Sequence, residues 1–221
     1  MPSLTRSSLS IFAAALLLSQ PAFAFQSPLS DESIREAYFL GQRHDGTLPN
    51  ILDKYTKRLA APKSGPYISA VTLLTPFIQL VEYSDSFIGN FSAQQALQVH
   101  RGKQEFVEIF VDIQLTESYN SLIAAPDSAR SRSSATLIHR PGDFWRDFQV
   151  QIFDGDQFLV PAEVHGHPNY FCDRHGYCSL TGASIELDFP ADTFPTDTAS
   201  IQIIPPEGDP VSVEFNLISL R

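Results

Sequence analysis

The densest concentration of reactive side chains lies between residues 165 and 178, where His165, His167, Cys172, Asp173, His175 and Cys178 fall within fourteen positions. The stretch holds half of the six histidines and both cysteines of the chain. Two kinds of chemistry fit it. In the first, Cys172 and Cys178 pair as a disulfide, with Asp173, Arg174, His175 and Gly176 turning the chain between two strands. Closing a seven-residue loop of this kind stabilises by about 2.4 kcal/mol on chain-entropy arithmetic. In the second, His165 and His167, at i and i+2 on one side of a strand, form a zinc or copper site. Cys172, His175 and Cys178 would complete an N/S ligand shell. A variant of this reading uses only His165, His167 and His175, which stay available beside a disulfide. The spacing matches no established zinc pattern, and an exported chain meets an oxidising compartment, so the disulfide is the expected state of the cysteines.

The remaining candidates have simpler structural readings. His44 and Asp45 have the types of a base and its orienting acid, yet they are adjacent residues expected at a turn between helices. His100 and Arg101 close a short helix, where positive charge meets the negative end of the dipole. Asp154 and Asp156 flank Gly155 without the spacing of a calcium loop, and a turn accounts for both. There is no Gly-x-Ser-x-Gly elbow, no phosphate-binding loop and no dinucleotide fingerprint. A hydrolase built on acidic residues with His100 or His44 therefore ranks last, since nothing in the sequence fixes its geometry.

The elements that would position the 165–178 segment are mostly strands. Residues 105–116 alternate cleanly, setting Val107, Ile109, Val111, Ile113 and Leu115 against Glu108, Asp112 and Gln114. Residues 211–220 do the same, with Val211, Val213, Phe215 and Leu217 facing inward. Asp154-Gly155 between residues 147–153 and 157–164 is the strongest hairpin signal. Further strands are expected over 67–75, 77–83, 177–189 and 199–204, with Pro76 a bend between the first two. Helices are expected from Ser30, carrying Ile34, Ala37 and Tyr38 on one face with a stop at Gly41, and from Thr47. The second presents Leu48, Ile51, Leu52, Tyr55 and Leu59 at helical spacing. A short helix capped by Ser92 spans residues 92–101, and residues 117–135 read as a long loop. The fold class that follows is mostly β: an antiparallel β-sandwich of about eight strands with two short N-terminal helices and one inserted helix.

The first 24 residues have the parts of a cleavable secretory leader: Arg6, an apolar run from Leu9 to Leu18, Pro21, and Ala22-Phe23-Ala24 as the cleavage pattern. The expected domain organisation is thus a leader over 1–24, a helical segment over 25–61 packed on the sheet, and a sandwich over 62–221. Net charge is −10, and −11 without the leader's Arg6 (14 basic against 25 acidic side chains). That sign disfavours nucleic acid and anionic lipid as partners. After the leader no run of apolar residues is long enough to span a bilayer. The expectation is an exported protein, periplasmic or secreted, that acts as a non-catalytic binding or structural module toward a protein or polymer ligand. No cofactor is expected on this reading; a zinc- or copper-binding protein is the alternative.

Overall fold

A computed structural model describes residues 25–87, 89, 91–124 and 137–221. The expected leader and residues 125–135 of the expected 117–135 loop lie outside the described residues.

The helices come from short capped segments. Ser30 caps α1 (Asp31–Gly41), its hydroxyl accepting from the Ser33 amide, while Asp31 and Glu32 sit at the positive end of the dipole. Ile34, Ala37 and Gly41 are buried along one face. Gly41 does more than end the helix: a Cβ there would stand 2.3 Å from the Val81 carbonyl oxygen and 2.8 Å from Ser84 Cβ, so its absence sets how closely α1 approaches the segment carrying Val81 and Ser84. Next comes α2 (Leu48–Leu52), with Pro49 in its first turn. It ends sooner than the apolar spacing through Leu59 suggests. Tyr55 turns into the core at 4 % exposure, and Thr56–Arg58 become β1, paired with β2 (Tyr67–Leu74). Five residues are too few to hold a helix by propensity, and sheet pairing takes over.

The expected strand over 77–83 is a helix, α3 (Pro76–Asp85). A short, nearly continuous apolar run has no decisive period, and here Pro76 provides a pre-set first helical residue. Buried Phe77, Ile78, Leu80, Val81 and Ser84 then form the stripe that meets α1 and the sheet. Ser92 and Gln95 cap α4 (Ala93–His100) reciprocally, as the Ser-x-x-Gln spacing implies. Among the described residues the inserted helices therefore number two rather than one.

The β elements are antiparallel throughout. After β3 (Phe106–Gln114) come the short β4 (Leu122–Ala124) and β5 (Leu137–His139), which pair with each other inside the expected loop region and at its edge. β6 (Gln149–Asp154) and β7 (Gln157–Leu159) form the hairpin read from Asp154-Gly155, with Gly155 at φ +56°. β8 (Glu163–Cys172), β9 (Cys178–Pro190), β10 (Thr198–Ile204) and β11 (Val211–Asn216) follow. One sheet has the order β1-β2-β3-β9-β8, a second has β11-β10-β6-β7, and β4-β5 form a third of two strands. Val107, Ile109, Val111 and Ile113 of β3 and Ile185, Leu187 and Phe189 of β9 join Ile201, Ile203, Ile152 and Phe215 of the second sheet in one buried core. The result is a sandwich-like, mostly β architecture in which α1 packs on α3 and α4, and α3 reaches β2.

Candidate functional site

Alternation that sends the apolar residues of β3 and β9 inward sends their carboxylates outward. Register then lines those carboxylates up. Glu108 of β3, Asp188 of β9 and Glu163 of β8 stand opposite one another in one row. Phe110, Glu186 and His165 form the next, and Asp112, Ser184 and His167 the one after. Because β8 is an edge strand of this sheet, Glu163 and His165 are exposed.

Two groups of ligand-type atoms result, each with its members within 4.8 Å of one another: Glu163, His165 and Asp188, and Glu108, Glu186 and Asp188. His165 Nε2 lies 2.9 Å from Glu163 Oε2. The third row is closed on itself, with Ser184 Oγ donating to Asp112 Oδ1 at 2.7 Å. Asp188 differs: its Oδ1 is shut off from solvent and has no hydrogen-bond partner among the described residues. The electrostatics follow from this crowding. Burial, reinforced by Asp188, Glu186 and Glu82, pushes the Glu108 carboxyl up to about 7. Burial and Glu186 raise that of Asp188. The Glu163 hydrogen bond raises the His165 imidazole, favouring its cation. Glu108 also borders two clefts under α3 and α4, one of about 440 Å³ with Gln79, Glu82, Tyr83 and His100, and one of about 200 Å³ reaching Asp188.

Of the sequence-derived residues, His165 and His167 do share the outer face of β8. His175 does not adjoin them. It lies in the turn beyond Cys172, five strand residues past His167, a distance of about 17 Å along the strand. There its amide donates to Asp173 Oδ1 at 2.8 Å. Cys172 and Cys178 face each other across the hairpin and form the disulfide, so neither sulfur is available as a thiolate ligand. The hairpin continues past the last β3 pairing at Gly182 as a two-stranded ribbon, and Tyr170, Phe171 and Tyr177 near its tip are 55 %, 67 % and 77 % exposed.

The weaker candidates separate. His44 Nδ1 approaches Asp85, at 3.2 Å, while Asp45 accepts from the Thr47 amide and hydroxyl. Asp154 is buried and holds Thr196 through its amide and hydroxyl, which gives it a structural role in the hairpin. His100 closes α4 as expected and also meets Glu105 at 2.7 Å. Glu105 accepts from Ser27 Oγ and the Leu29 amide as well, tying residues 27–29 to the start of β3. Sequence reasoning passed over Glu105, Glu163, Glu186 and Asp188 and left Glu108 as a solvated face. The only signal was alternation on β3 and β9, and it does not say which strands become neighbours.

No family model matches the chain, and no curated protein is significantly similar to it. No helix among the described residues is long and apolar enough to cross a membrane.

Proposed function

We propose that this chain is an exported, non-catalytic binding module of the cell envelope or extracellular space, and that it engages a protein or polymer ligand through the tip of the β8–β9 hairpin. The observation that carries this reading is the ribbon itself. It extends beyond its sheet, it is closed by the Cys172–Cys178 disulfide, and it presents three large aromatic side chains to solvent. Exposed aromatics held on a rigid element offer contact area at low conformational cost. The disulfide suits an oxidising compartment and agrees with the leader-like first 24 residues. A photo-crosslinking side chain placed at Phe171 in the exported protein is expected to give one discrete adduct, and the same group at Glu214 on the other sheet none. Equal labelling from both positions contradicts the reading. So does turnover of an ester, phosphoester or glycoside substrate that a single substitution abolishes.

A second reading, a metal-binding protein using His165, His167 and His175, is supported at one point: His165 has carboxylates beside it on the exposed β8 edge. The same protein, stripped of metal and titrated with zinc, tests it.

A further inference from the structure

We infer that Glu163, His165 and Asp188 form a site for one divalent transition-metal ion, zinc in the first instance, on the outer face of the five-stranded sheet. The inference deepens the metal-binding reading and rests on it, while changing the ligand set: His165 stays, and two carboxylates replace His167 and His175.

The geometry comes from the β8–β9 register. Glu163 is opposite Asp188, and His165 is two residues along β8 on the same face, so three ligands converge from two adjacent strands. One ligand atom from each lies within 4.8 Å of the other two. Zinc holds nitrogen and carboxylate oxygen at about 2.0–2.2 Å, which puts its ligands roughly 3.5 Å apart. The approach needed is small, and Glu163 and His165, with side chains 66 % and 50 % exposed, are free to make it. Asp188 is the fixed member. Its inaccessible, partnerless Oδ1 is the one feature that a surface His–Glu pair leaves unexplained, since a buried carboxylate oxygen without a donor is costly. A cation held by the Asp188 carboxylate offsets that cost. Two carboxylates and a neutral imidazole balance its charge, and Glu108 and Glu186, grouped with Asp188 on the other side, add negative potential. The imidazole selects zinc or copper over calcium and magnesium, which take oxygen ligands. Three protein ligands leave a fourth zinc position open to water or to a side chain from a partner.

The test is calorimetric titration of the metal-stripped mature protein with zinc sulfate, with magnesium and calcium chlorides in parallel arms. One zinc is expected per chain and neither of the other ions. His165→Ala, Asp188→Asn and Glu163→Gln should each weaken zinc binding roughly tenfold or more, by analogy with losses in metal-site shells. His167→Ala and His175→Ala should bind as the parent does. Glu163 is exposed, so its substitution reads the site even if Asp188→Asn perturbs folding. As a second readout, zinc should shift the His165 imidazole nitrogen resonances and leave those of His175 unmoved. Absence of zinc binding overturns this site together with the metal-binding reading. Zinc binding that depends on His167 or His175, and survives the other three substitutions, overturns this site alone.

Discussion

Glu105 and Glu108 lie on one short stretch of chain at the start of β3, yet their carboxyls are driven in opposite directions. For Glu105, burial opposes ionisation, but hydrogen bonds from His100, the Leu29 amide and Ser27 outweigh it and hold the carboxyl below its ordinary 4.5. Its folded-state value is depressed, so its contribution to stability is present above pH 4.5 and is lost as pH falls through the lower folded value. Glu105→Ala should cost on the order of 3 kcal/mol at neutral pH, because it leaves three donors facing a void. Urea denaturation of parent and variant should show that gap closing as pH falls below 4.5. Glu108 behaves in the reverse sense. Its carboxyl is raised from 4.5 to about 7, so the folded state keeps a proton that the unfolded chain gives up. The associated stability is complete below pH 4.5 and is lost as pH rises to about 7. Glu108→Gln, which mimics the protonated form, should stabilise the protein at pH 8 by on the order of 2 kcal/mol and leave it unchanged near pH 4. A variant no more stable than the parent at pH 8 would show that Glu108 is better solvated than its neighbours imply.

At the scale of elements, the α1–α3 contact gives the sharpest expectation. Helix propensity alone favours alanine over glycine at position 41 by up to about 1 kcal/mol. The added methyl would meet the Val81 carbonyl, a backbone atom that cannot turn aside. Overpacking of this kind costs about 1–3 kcal/mol, so Gly41→Ala should lower the melting temperature despite its propensity, with faster amide exchange in α1 and α3. A neutral or stabilising Gly41→Ala would mean that the helices separate at little cost. The same contact marks where the sequence was hard to read. The alternation of β3 and β11, the helix capped by Ser92 and the Asp154-Gly155 hairpin are local patterns, and the structure follows them. Residues 77–83 carry a run too uniformly apolar to show a period, and residues 56–58 become a strand only because β2 is there to pair with. The candidate site was legible to a similar degree. His165 stood out by its type, whereas Glu163, Asp188, Glu186 and Glu108 are ordinary members of polar faces until the β3-β9-β8 order makes them neighbours.

For the whole molecule, the charge balance and the two opposed carboxyls set the shape of the pH–stability curve. The chain without its first 24 residues carries 25 acidic against 14 basic side chains. At alkaline pH its carboxylates repel one another, most strongly on the outer face of the five-stranded sheet, where burial and like charge also raise the carboxyls of Glu108 and Asp188, and Glu82 of α3 is raised likewise beside Asp85. Lowering the pH from 8 protonates these groups in the folded state first and should raise the melting temperature. Below pH 4.5 the Glu105 hydrogen bonds fail and the curve should turn down. The maximum therefore belongs between about pH 4.5 and 7, on the acid side of neutrality. Salt discriminates the two limbs. Raising sodium chloride to about 0.5 M shortens the screening length to a few ångströms and should raise the melting temperature at pH 8, where surface repulsion dominates. It should do little near pH 4.5, where the Glu105 contacts are short and largely buried. Melting curves across pH at two salt concentrations measure both effects together. A maximum above pH 8, or a salt response that is the same at both ends, would mean that the crowded carboxylates on the sheet face do not govern the stability of the fold.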